Sequence, residues 1–392
     1  MMLALALSVL SVVSAPFLTI AADLPFSAPL ASTPRTGTQK IGLVFAYYFE
    51  FTLDSATEEL LAAHYKDQIA VYMDWASDSK MNLDVHIFFH PLSLAEKDAD
   101  GSCRSHPGLL FDDVAGFNAT SFDAKEFNVL TTLGCSGSCA SGAEGIECTT
   151  MYDQSALTAC NASSATTLCE RTFVHELLHA LGLGYHANMY ECTADDTTWR
   201  ECTNVEYGGR LDVLGSTNTE GKISWGVSAK LRYDLHWLAG DDIVVVEKSD
   251  SPSSWTETSV DVTLSALDAA GGNAAVVRFT DSALSGLGLI WLEYRGGYFF
   301  DSNVAVANPG ILAFHYGNAL IDLNPSDDAF HVTLDVGAGV WTDSASGLQL
   351  ETISADGSSA VVRVTFTSPP TCVLAEPTLT RRLQNRHFRP LS

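Results

Sequence analysis

The chain has 392 residues, 46% of them hydrophobic, with 47 acidic against 21 basic side chains and a formal net charge of −26. That length holds one large domain or two medium ones. The acidic excess is spread along the chain and argues against a nucleic-acid partner, whose phosphates require a basic surface.

Residues 1–22 open with MMLALALSVLSVVSA, an apolar run followed by small residues. It reads as a secretory signal peptide, cut after Ala15 or nearer Ala21–Ala22. No later stretch is apolar for long enough to span a bilayer, so a secreted, extracellular protein is expected. Residues 23–39, rich in Pro, Ser and Thr, form an extended lead-in. Ile41–Phe51 is aromatic and β-branched enough for a buried strand. Ser55-Ala-Thr-Glu58 is a capping box, after which Leu61, Tyr65, Ile69, Tyr72 and Met73 recur at helical spacing. Leu83–His90 alternates as a strand, and Phe127–Leu133 is expected to add an edge strand. Strand, helix and strand in this order give an α/β arrangement.

Nine cysteines suit an oxidising compartment. Cys103, Cys135, Cys139, Cys148, Cys160, Cys169, Cys192 and Cys202 fall in one region and predict a disulfide framework, with Cys372 left over. Asn118 and Asn161 open N-x-Ser/Thr glycosylation acceptors. A Cys- and Gly-rich loop is expected up to Cys169.

The chemistry concentrates in RTFVHELLHALGLGYHAN, Arg171–Asn188. His175 and His179 stand four apart on a helix and therefore on one face, where both imidazoles can reach one metal ion. Glu176 is placed for a general base acting on water. Phe173, Val174, Leu177, Leu178, Ala180 and Leu181 make the helix buried, and two histidines and a carboxylate there want a joint reason, which zinc supplies. Gly182 ends the helix in a left-handed residue, so the chain can reverse and return His186 as a third ligand. A fourth position is left for water. Downstream, Glu206–Gly215 forms a Gly-rich turn and Trp225–Leu238 a closing helix.

From Ile243 short β-rich runs replace this pattern: Val260–Leu264, Ala275–Phe279, Leu289–Arg295, Ile311–Tyr316, His331–Val336, Leu348–Ile353 and Ala360–Phe366. They predict an antiparallel β-sandwich over 245–370, after a domain at 40–244. The Arg-bearing tail, 371–392, is expected to be disordered.

HELLHALGLGYHAN, EYGGRLDVLGS and KISWGVSAKLRYDLHWL together resemble the gametolysin family of secreted zinc metallopeptidases, which belongs to the metzincins. LIWLEYRGG and GILAFHYGNALIDLNP resemble that family's C-terminal region, and the likeness covers roughly residues 40–368. The resemblance implies a metzincin-like domain with Zn2+ held by His175, His179 and a third ligand, Glu176 as base, and Gly182 as the family glycine. It implies protein or peptide substrates, with extracellular-matrix or cell-wall glycoproteins as their class. Two positions depart from the pattern. The third histidine is due at Tyr185 but stands one later, at His186, leaving Tyr185 or a carboxylate of the following loop as competing ligands. Leu214 stands where the family turn has methionine, a swap typically under about 1.5 kcal/mol. Gly209 replaces a common acidic residue and is expected to loosen the turn, and Tyr207 is expected to be structural. A pseudoenzyme and a matrix- or cell-wall-binding protein are the other readings.

Overall fold

A computed structural model describes residues 34–48, 55–92, 114–130, 138–142, 145–152, 168–193, 196, 198–209, 211–215, 226–248, 257–267, 269–279, 289–296, 310–315, 319–323 and 333–367. The leader, Cys103, Cys135, Cys160, Cys372, Asn161, His331 and the tail 371–392 lie outside these residues. No helix among them is long and apolar enough to cross a membrane.

The N-terminal sheet is built from β1 (Gly37–Tyr48), β2 (Met81–Leu92), β3 (Ala124–Leu130), β4 (Ser138–Gly142) and β5 (Gly145–Tyr152), in the order β2-β1-β3-β5-β4. β1 pairs in parallel with β2 and β3, and β3 with β5, while β4 runs antiparallel to β5. A parallel neighbour needs a crossover, and α1 (Ser55–Ala76) supplies it between β1 and β2. The alternation expected in β2 turns Val85 into the core, with Leu83, Ile87 and Phe89 packed at its margin. Phe89 stacks on Phe45 at 5.7 Å between ring centroids.

β3 is not the expected edge strand. The stretch taken for a Cys- and Gly-rich loop contains the β4–β5 hairpin, which covers β3 and passes the edge to β4. Thr149, Thr150, Met151 and Tyr152 carry the β propensity there, and the surrounding small residues hid it. α2 (Leu168–Ala180) then packs on this sheet, with Val174, Leu177, Leu178 and Leu181 buried beside Ile41, Leu43, Phe45, Ile69 and Met73.

The β-rich half forms two sheets. The larger has the order β7-β6-β13-β12-β11-β10-β8 and includes β6 (Asn188–Glu191), β7 (Thr203–Val205), β8 (Ile243–Lys248), β10 (Ala274–Phe279), β11 (Leu289–Arg295), β12 (Gly310–His315) and β13 (Ala319–Ile321). The smaller, β14-β15-β16-β9, is made of β9 (Thr258–Ser265), β14 (Val340–Asp343), β15 (Leu348–Ala355) and β16 (Ser359–Phe366). Both bury side chains in one core, including Val262, Leu264, Val277, Leu292, Ile311, Leu350, Val362 and Phe366. Two corrections follow. The larger sheet is mixed, because β6 and β8 join it in parallel to β13 and β10. The run expected over His331–Val336 makes no strand among its described residues, where Leu334 forms only a bridge to Ile311.

The closing helix is also shorter than its sequence suggests: α3 spans Ala229–Asp234. His236 takes a positive φ of 64°, and Arg232 O accepts from Trp237 N at 2.6 Å, so the chain turns there. Leu231, Leu235 and Leu238 nonetheless all stay buried. Cys192 and Cys202, flanking the loop between β6 and β7, form a disulfide.

Candidate metal centre

α2 presents His175 and His179 one turn apart and then stops cleanly. Gly182, with φ 117°, lies just past the last turn, where a side chain would be strained. Its N–H donates to His179 O at 2.9 Å, and Leu183 N–H donates back to Leu178 O at 3.2 Å. This paired closure reverses the chain, and Leu178 and Leu183 bury together beneath it. Arg35 Nε donates to a further end carbonyl, Leu181 O, at 2.9 Å.

The same backbone orients the two imidazoles. His175 Nδ1 donates to Val213 O at 2.9 Å, and His179 Nδ1 donates to Leu183 O in the helix cap. A carbonyl only accepts, so in the neutral rings the proton sits on Nδ1 and each Nε2 turns its lone pair toward the other. Those two Nε2 atoms face each other at 3.2 Å. His186 repeats the arrangement with side chains: its Nδ1 faces Glu206 Oε1 at 3.3 Å, and Tyr207 Oη donates to its Nε2 at 2.8 Å. The three imidazoles each bring one ring nitrogen into a group spanning no more than 4.8 Å.

This donor set fits zinc. Tetrahedral Zn–N bonds of about 2.0–2.1 Å place two nitrogens about 3.3 Å apart, close to the helix pair's separation. Facing lone pairs repel in a buried site unless a cation lies between them, and His175 and His179 are only 8% and 5% exposed. Burial lowers the pKa of His179, favouring the neutral ring that ligates; the Leu183 contact opposes this shift, and His186 adds to it.

Tyr185 points elsewhere. Its hydroxyl donates to Asp234 Oδ2 at 2.6 Å. Burial first, then Asp234, raises its pKa well above the ordinary phenol range, which disfavours a phenolate. Glu176 is half-buried beside the histidines, and burial raises its pKa to about 7.

The turn below is tightly built. Leu214 is fully buried among Leu177, Leu178 and Val213. Asp212 accepts from Leu214 N and Ser228 N, each at 2.8 Å, which favours its ionised form. Burial outweighs those contacts and raises its pKa to about 6. Glu293 of β11 accepts from Ala229 N at 2.6 Å and from Arg295 Nε at 2.7 Å, so the larger sheet supports this floor. Gly209 does not loosen the turn: a Cβ there would lie 2.9 Å from both Ala187 Cβ and Asn188 O. Its N–H donates to Ala187 O at 3.0 Å, and only glycine lets the two segments approach so closely.

No protein-family model matches the chain, and no curated protein matches it. Among solved structures, archaemetzincin from Methanopyrus kandleri aligns at 15% identity with a TM-score of 0.30, covering 52% of this chain and 96% of that one. So slight a likeness decides nothing about chemistry, which is read from the imidazoles themselves.

Two residues near the site escape sequence reasoning. Tyr207 was expected to be structural, yet its ring stacks on His186 at 3.8 Å between centroids and its hydroxyl meets the third histidine. Its backbone has φ 60°, uncommon for a bulky residue and a mark of local strain. Glu206 beside it holds the other ring nitrogen. Only their nearness to the Gly-rich turn could have signalled them. Elsewhere, Asn118 lies exposed at a turn, its Oδ1 accepting from Thr120 N at 3.2 Å. His86 pairs with Asp84 at 3.1 Å on the surface, outside the triad.

Proposed function

We propose that this chain is a secreted zinc-dependent peptidase, with a metzincin-like domain at 40–244 in which His175, His179 and His186 hold the metal and Glu176 is the general base. The observation that carries it is the shared orientation of the imidazoles: each Nδ1 is committed to an outer acceptor, leaving Nε2 of the helix pair turned inward at 3.2 Å. Outer contacts of this kind fix tautomer and ring angle in metal sites.

Zinc held by His175, His179 and His186 would supply a Lewis acid that makes water a better nucleophile near neutral pH. Glu176 takes the proton of the attacking water and returns it to the leaving amine. Its half-buried setting next to His175 suits that exchange. Val213 O and Leu183 O keep the helix imidazoles from rotating as charge develops. The leader and the Cys192–Cys202 pairing support an oxidising, extracytosolic setting. The core common to the two sheets supports the β-sandwich expected over 245–370, which β6 and β7 extend from ahead of it. Matrix or cell-wall glycoproteins as substrates rest on the sequence resemblance alone.

A second reading, a pseudoenzyme kept for binding, draws on Tyr207, whose hydroxyl meets the very nitrogen a metal needs. Purified protein separates the two. The peptidase reading expects about one zinc per chain, and casein hydrolysis lost on chelation and restored by zinc. Protein that takes up no zinc from a stoichiometric solution would leave the binding reading in its place.

A further inference from the structure

We propose that Tyr185, Asp234 and Lys230 form a buried anchor that sets the angle of His186, making Tyr185 a positioning residue for the third metal ligand. This rests on the reading of His186 as a ligand given above.

The one-residue displacement of the third histidine poses a geometric problem. A loop one residue longer than the pattern has more ways to miss the metal than to meet it. In this chain the additional freedom is removed from both sides of His186. On its far side, Ala187 is held by two backbone bonds: its N–H donates to Leu214 O at 3.0 Å, and its carbonyl accepts from Gly209 N at 3.0 Å. On its near side, Tyr185 turns inward and packs its ring against the core that contains α2.

The Tyr185 hydroxyl donates to Asp234 Oδ2 at 2.6 Å. Asp234 is fully buried, and Lys230, one turn earlier on α3, meets both its oxygens at 2.6 and 2.5 Å. A carboxylate buried so completely requires partners, and an ion pair with a phenol bond makes the acceptor stiff and directional. Tyr185 lies at a bend immediately before His186, so fixing its ring in the core fixes the direction in which the chain delivers His186 to His175 and His179.

Tyr185→Phe tests this, because it removes one hydroxyl and keeps the ring in its core position. Zinc would be titrated into metal-free wild type, Tyr185→Phe and His186→Ala, reading both the dissociation constant and the rise in melting temperature of each protein over its own metal-free form. That second reading cancels any loss of stability common to both states. The anchor predicts roughly a 10-fold weaker zinc affinity for Tyr185→Phe, with a smaller zinc-induced rise, and a larger loss for His186→Ala. Wild-type zinc affinity in Tyr185→Phe, with His186→Ala impaired, would overturn the anchor and leave the peptidase reading intact. A metal-free Tyr185→Phe that is unfolded at room temperature would overturn it in favour of a purely structural role. Wild-type affinity in His186→Ala would overturn the ligand assignment itself, and the anchor with it. As a second arm, Lys230→Met with Asp234→Leu replaces the ion pair by apolar groups of similar size. The anchor predicts the same fall in zinc affinity there, and unchanged affinity would count against it.

Discussion

Two of the three imidazoles are held by backbone and the third by side chains. His175 and His179 lean on Val213 O and Leu183 O, carbonyls fixed by a turn and a helix cap. His186 leans on Glu206 and Tyr207, both exposed, just past the loop closed by the Cys192–Cys202 disulfide. The helix pair therefore cannot be detuned by changing one neighbouring side chain, whereas the third arm can be adjusted in small steps. In the proposed site the helix would fix where a metal sits, and the loop how tightly it is closed in.

The largest expected effect lies on the helix. Glu176→Ala keeps zinc and lowers turnover by about 10²–10⁴-fold, measured on casein; full turnover would remove Glu176 from the mechanism. His175→Ala and His179→Ala abolish stoichiometric zinc, read by elemental analysis. The loop gives graded effects: Glu206→Gln weakens zinc by about 10-fold or less, whereas Tyr207→Phe frees the His186 nitrogen and leaves zinc affinity unchanged or tighter; a loss in Glu206→Gln as complete as that of His175→Ala would erase the contrast between helix and loop.

A pH measurement sharpens the comparison further. The pKa of Glu176 is raised from 4.5 to about 7 by burial, so the metal-free folded chain binds its proton more tightly than the unfolded chain does. Stability linked to this group is fully present below about pH 4.5 and is lost as pH rises through 7. Melting temperatures of metal-free wild type should therefore fall relative to Glu176→Gln across that window. A bound cation opposes the shift, so the acid limb of activity should lie below the metal-free value. The smallest effect is expected at Leu214→Met, under about 1.5 kcal/mol in stability, since the site is apolar and close in volume to either side chain.

The same contrast explains what could be read from the sequence. The helix ligands, Gly182 and the buried face of α2 are local: spacing alone puts two histidines on one face, and one glycine signals the cap. His186 is visible as a histidine, but Glu206, Tyr207 and Asp234 reach it or its neighbour from 20, 21 and 49 residues away. No periodicity encodes such contacts. Six strands of the β-rich half, β9, β10, β11, β12, β15 and β16, are legible through their β-rich runs, whereas β8, β13 and β14 are not, and no strand forms over the described part of His331–Val336. The union of this half with the first is not legible, because the pairings of β6 with β13 and β8 with β10 are set by three-dimensional register. The β4–β5 hairpin was hidden by small residues and cysteines.

The position of β6 bears on how such a site comes into being. It begins at Asn188, just past His186, and its inner neighbour is β13, whose last residue is Ile321. A chain leaving the ribosome presents its N-terminal parts first. The HELLH helix thus emerges long before the strand that completes the bed of the third histidine. The nascent polypeptide carries an unfinished centre while residues 180–321, about a third of the chain, are added, and a peptidase of the proposed kind assembled in that order would be poorly equipped to cut itself or its neighbours while still being made.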